Sequence, residues 1–97
     1  MNTAINEILN SFNISLIIRF GNREISANDL DLLIVSDDFI GISNYKRAEI
    51  IKFINPLVDP ICFTRLEFEI FQNKNNTLYR KIKSDSTILY GNHTFTN

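Results

Sequence analysis

Cysteine, histidine, glycine and proline are all scarce in this chain, and each scarcity removes a class of function. One cysteine in 97 residues leaves no intramolecular disulfide, and one cysteine with one histidine leaves too few soft ligands for a structural zinc site. Cys62 sits in the apolar run Ile61-Cys62-Phe63, where a buried thiol is expected, while His93 lies in a polar tail, so a Cys–His nucleophile is not indicated. Three glycines and two prolines supply no linker, which predicts one domain over residues 1–97 with a frayed tail at 92–97. An excess of positive charge is also missing. Ten Lys and Arg stand against eleven Asp and Glu, and the basic residues are scattered, so nucleic acid is not the expected partner. No apolar run approaches the ~18 residues of a membrane span, and Met1-Asn2-Thr3-Ala4 lacks the basic start of a secretory signal; a cytoplasmic protein is expected. A chain this short buries only roughly 60 to 68% of its unfolded surface, which favours an oligomer or a larger partner.

What is present is an alternation of helical and strand patterns. Ile5, Ile8, Leu9 and Phe12 fall on one helical face behind a Thr3 cap, predicting a helix that ends near Asn13. Ile14 to Phe20 alternates as a strand up to Gly21. Asp29 to Val35 becomes continuously apolar after its aspartates, the mark of a central strand covered on both faces. Ser36-Asp37-Asp38 opens a connection through Gly41, and Ser43 or Asn44 caps a helix that stops before Pro56. Val58 to Phe63 is a third strand, in which Pro60 demands an edge, a bulge or a strand start. Thr64-Arg65-Leu66-Glu67 is a capping box for a helix to about Gln72; a short helix through Leu78, Tyr79 and Ile82 and a small strand from Thr87 to Tyr90 complete the chain. The pattern is α/β or α+β, a small mixed sheet flanked by helices.

The carboxylates carry the chemistry. Asp29 and Asp31 are two apart on a strand, so both side chains take one face, roughly 7 Å apart at Cα. That spacing suits a hard cation such as Mg²⁺, and it equally suits turn-forming aspartates at a strand start. Gly21 ends the preceding strand, where a missing Cβ lets backbone amides approach a phosphate. Asp59 opens the third strand in the same way, either as a third ligand or as a solvated edge residue beside Pro60.

Together, Phe20-Gly21-Asn22, Asp29-Leu30-Asp31-Leu32-Leu33-Ile34-Val35-Ser36 and Val58-Asp59-Pro60-Ile61-Cys62-Phe63-Thr64 resemble the minimal nucleotidyltransferases of the polymerase-β superfamily. The resemblance spans roughly residues 14 to 90, and the order of elements is more specific than any one motif. It implies a nucleotidyltransferase fold, ATP or another nucleoside triphosphate as substrate, and Mg²⁺ as cofactor. Asp29, Asp31 and Asp59 would be the catalytic and metal-binding residues, with Gly21, Asn22 and Arg23 at the nucleotide. The implied reaction moves a nucleoside monophosphate to a hydroxyl, on a small molecule or on a helical partner protein as in toxin–antitoxin pairs. Two positions depart from the pattern. Asn22 replaces the family's serine, and the spacer 23–28 is short. The alternative is therefore a degenerate antitoxin or assembly partner acting by protein binding.

Tyr45, Phe53, Phe68 and Phe71 are candidate contacts in that alternative, although aromatic residues at helical spacing ordinarily face the core. Arg19, Arg47 and Lys52 read as solvated surface charge.

Overall fold

The apolar segment at the centre of the chain organises the rest. In the computed structural model, which describes residues 2–21 and 30–95, Leu30–Val35 forms strand β2, with all its residues buried except Asp31. Leu16–Phe20 forms β1, Val58–Phe63 β3 and Ser86–Tyr90 β4, giving a four-stranded sheet in the order β3-β2-β1-β4. β1 runs antiparallel to β2 and to β4, whereas β2 and β3 are parallel. The sheet is therefore mixed, as the alternating pattern implies, and Pro60 sits on the edge strand its missing N–H requires.

Four helices cover the two faces: α1 (Asn2–Ser11) and α2 (Asn44–Ile54) on one, α3 (Arg65–Lys74) and α4 (Thr77–Ser84) on the other. Period-two alternation divides β2 between them. Leu30, Leu32 and Ile34 join Ile5, Ile8, Ile17, Phe39, Ile51 and Val58 in one core. Leu33 and Val35 join Leu16, Ile18, Phe68 and Ile82 in the other. Full burial of each such aliphatic side chain is worth about 1.5–3 kcal/mol relative to exposure. No helix among the described residues is long and apolar enough to cross a membrane.

Several boundaries differ from the sequence pattern for identifiable reasons. Thr3 lies inside α1 rather than capping it, and the helix stops at Ser11. The N–H of Asn13 is taken by Asp38 Oδ2 at 2.7 Å, which pulls the chain out of helical geometry. Helix α3 runs past Gln72 to Lys74 and ends where Asn75 adopts φ 48°. A 3₁₀ turn at Asp37–Phe39, with no periodic signal, is held by Ser36 Oγ, which accepts from Asp38 N and donates to Asn13 O. His93 and Phe95, in the stretch expected to fray, pack their rings on Phe68 and Tyr79.

The largest departure is Arg47. Expected in solvent, it is only 4% exposed. Its guanidinium forms a two-pronged bridge to Glu67 and donates to the carbonyls of Ile42 (2.7 Å) and Cys62 (3.2 Å), with the Phe39 ring centroid 5.7 Å away. Glu67 also accepts from Thr64 N at 2.8 Å while Thr64 Oγ1 accepts from Glu67 N, the expected capping box. One carboxylate thus caps α3 and neutralises a buried cation from α2. The hydrogen bonds from Arg47, foremost, hold the Glu67 carboxyl below the usual carboxylate range.

Removal of Arg47 as Arg47→Ala should cost about 2–3 kcal/mol in urea unfolding. That lies below the 3–5 kcal/mol of a fully buried pair because the Glu67 side chain is 42% exposed and can rehydrate. Because folding lowers the Glu67 pKa, its contribution is complete above the ordinary value of 4.5 and fades as pH falls through the lower folded-state value. The acid-side loss of stability measured from pH 6 downward should accordingly be smaller in Glu67→Gln than in the parent; equal slopes would remove the pair from the acid response.

Candidate functional site

Parallel pairing of β2 with β3 sets Asp31 directly opposite Asp59, between the pairs Leu30–Val58 and Leu32–Pro60. Residues paired in this way share a sheet face, and neighbouring strands lie about 4.8 Å apart. The two aspartates are therefore in register on one sheet face near the N-terminal ends of their strands. Asp31 is partly covered, whereas the Asp59 side chain is 66% exposed.

Gly21 follows the last residue of β1 and reaches the same end of the sheet, because β1 is antiparallel to β2. Its φ is +86°, and a Cβ built there would meet Asp31 Oδ2 at 2.6 Å. Both the left-handed backbone and the carboxylate oxygen exclude a side chain. The phosphate approach expected at Gly21 is a different contact; here the neighbour of the backbone is the Asp31 carboxylate. Asn22, Arg23 and Asp29 lie outside the described residues. Among the described residues, no three of His, Cys, Asp and Glu gather into a group suited to a metal ion, and Asp29 is the expected member that lies outside them.

The chemistry of the donors suits a hard cation: carboxylates on adjacent strands, one of them against Gly21. The other acidic side chains near β2 serve the backbone instead. Asp37 Oδ1 accepts from Arg65 N at 3.0 Å and Asp38 Oδ2 from Asn13 N, both at the opposite end of the strand. Cys62 is buried on β3, and burial pushes its thiol up to about 12, against a smaller opposing effect of Arg47; it is no nucleophile. His93 lies remote from the aspartates, with its Nε2 buried and its pKa lowered by burial.

Lys52, read from the sequence as solvated surface charge, is half exposed and stands near the acidic edge. Its Nζ lies 3.9 Å from Asp59 Oδ1, reaching the β3 edge from α2. Seven residues of sequence separate the two, and nothing in helix periodicity shows how the turn between them folds back. The aromatic residues divide. Phe68 and Phe71 pack in the second core, as aromatic residues at helical spacing ordinarily do, while Tyr45 and Phe53 on α2 are 78% and 90% exposed.

No protein-family profile and no curated protein sequence matches this chain. Solved structures do. A provisionally assigned nucleotidyltransferase from Sulfolobus solfataricus superposes with a TM-score of 0.61 at 18% identity, covering 91% of this chain and 74% of the other. A chain from the complex of a tri-AMPylated Shewanella oneidensis HEPN toxin with MNT antitoxin superposes with a TM-score of 0.55 at 18% identity, covering 94% and 69% respectively. The mixed sheet, the helices on its two faces and these superpositions agree: the chain has the MNT-type nucleotidyltransferase fold.

Proposed function

We propose that this chain is a Mg²⁺-dependent nucleotidyltransferase that moves a nucleoside monophosphate from ATP or another nucleoside triphosphate to a hydroxyl acceptor. The observation that carries this reading is the in-register pair Asp31 and Asp59 with the glycine turn of Gly21 closed against Asp31. Asp31 and Asp59, with Asp29, would hold Mg²⁺, which when bound neutralises phosphate charge and lowers the barrier to displacement. Gly21 gives the triphosphate close access to backbone amides, and Asn22 and Arg23 supply an amide and a cation for the β and γ phosphates. The acceptor oxygen forms a bond to the α-phosphorus as the α–β anhydride breaks, pyrophosphate departs, and the hydroxyl proton passes to an Asp59 carboxylate oxygen. High exposure of Asp59 leaves that oxygen accessible to an external acceptor.

A protein is the favoured acceptor. Among the structural neighbours, an AMP-bearing toxin is bound with an MNT antitoxin. The second reading, a degenerate domain acting by protein binding, draws on the exposed Ile40, Tyr45 and Phe53.

Calorimetric titration of ATP and GTP with Mg²⁺, followed by a pyrophosphate-release assay, separates the two. The expected result is Mg²⁺-dependent binding that falls at least about tenfold, on the order of 1.4 kcal/mol, in Asp31→Asn/Asp59→Asn, with pyrophosphate release in the parent alone. Absence of binding at millimolar nucleotide would leave the partner-binding reading. Gly21→Ala should weaken nucleotide binding and cost about 1–3 kcal/mol of stability, since its Cβ strikes Asp31 from a strained φ. Full stability and wild-type affinity in that variant would break the link between the turn and the site.

A further inference from the structure

Asp59, in register with Asp31, carries its negative charge on the exposed edge strand, where a nearby positive charge offsets it. Lys52 supplies it. Its ammonium lies 3.9 Å from Asp59 Oδ1, in Coulombic contact at a distance too long for a strong hydrogen bond, with side chains 52% and 66% exposed. An ion pair this open adds little to stability and exchanges readily. Its position gives it a different consequence, because it lies beside one oxygen of the carboxylate that an incoming cation would use.

We propose that Lys52 is a resident counter-ion of Asp59, a positioning residue that lies beside its carboxylate in the absence of metal and must be displaced by the divalent cation. The inference rests on the reading of Asp31 and Asp59 as cation ligands. A divalent ion at Asp59 repels an ammonium held a few ångströms away, so cation binding and the Lys52–Asp59 contact exclude one another. Lys52 then tunes cation affinity downward, and its freed ammonium stands at the rim of the site.

Mn²⁺ affinity, measured by the loss of free-ion paramagnetic resonance in low salt without nucleotide, tests this on the full chain. Lys52→Met should bind Mn²⁺ about two- to fivefold more tightly than the parent, the range expected from releasing an exposed ion pair. Lys52→Arg should stay close to the parent, and the gain in Lys52→Met should shrink as added salt shortens the screening length. Thermal melts of the three proteins should superpose within a few degrees, since Lys52 is half exposed. Unchanged or weaker Mn²⁺ binding in Lys52→Met would overturn the proposal, provided that Asp31→Asn weakens binding in the same assay. If the parent binds no Mn²⁺, or Asp31→Asn binds it as well, the cation-site reading itself fails and the Lys52 proposal falls with it.

Discussion

Parallel pairing of β2 with β3 is the constraint from which the other features follow. Two parallel strands cannot be joined by a tight turn, so the chain must cross the sheet, and α2 provides the crossing while burying Ile51 against the first core. The crossover brings the N-terminal ends of both strands to one edge of the sheet. There the register sets one aspartate beside the other, and the antiparallel return of β1 delivers Gly21 to the same place. A slip of one residue would turn Asp59 to the opposite face from Asp31. Register and burial reinforce each other here, because the same slip would take Val58 and Cys62 out of the first core.

Polar side chains then divide the sheet into a structural end and a chemical end. After β2 and β3, Ser36, Asp37, Asp38, Thr64, Arg47 and Glu67 tie α1, α2 and α3 together through short hydrogen bonds, many to backbone groups. These contacts satisfy the strand exits and helix starts that would otherwise be left without partners. The other end holds Asp31 and Asp59 in register, Gly21 against Asp31, and Lys52 near Asp59. A scaffold tied together at one end suits the proposed site at the other.

Much of this organisation was legible in the residues. β2 betrayed itself as a doubly covered strand by its unbroken apolar run, Pro60 marked an edge, and Thr64 with Glu67 marked the start of α3. Asp31, Asp59 and Gly21 were legible as candidates only, because each stands near a strand end. Arg47 and Lys52 were not legible. Nothing local distinguishes a cation that will be buried between two helices from one that points to water, since its partner lies 20 residues away for Arg47 and across a turn for Lys52.

Local periodicity, capping and turn chemistry act over a few residues, so the sequence alone determined the order and type of the elements and the alternation that splits β2 between two cores. Long-range pairing depends on which surfaces meet once the helices are packed. The sheet order β3-β2-β1-β4, the juxtaposition of Asp31 with Asp59, the closeness of Gly21 to Asp31 and the burial of Arg47 were therefore decided only in the tertiary structure. Each of these arises from contacts between segments far apart in the chain, whose free energy is realised only when both surfaces leave water together.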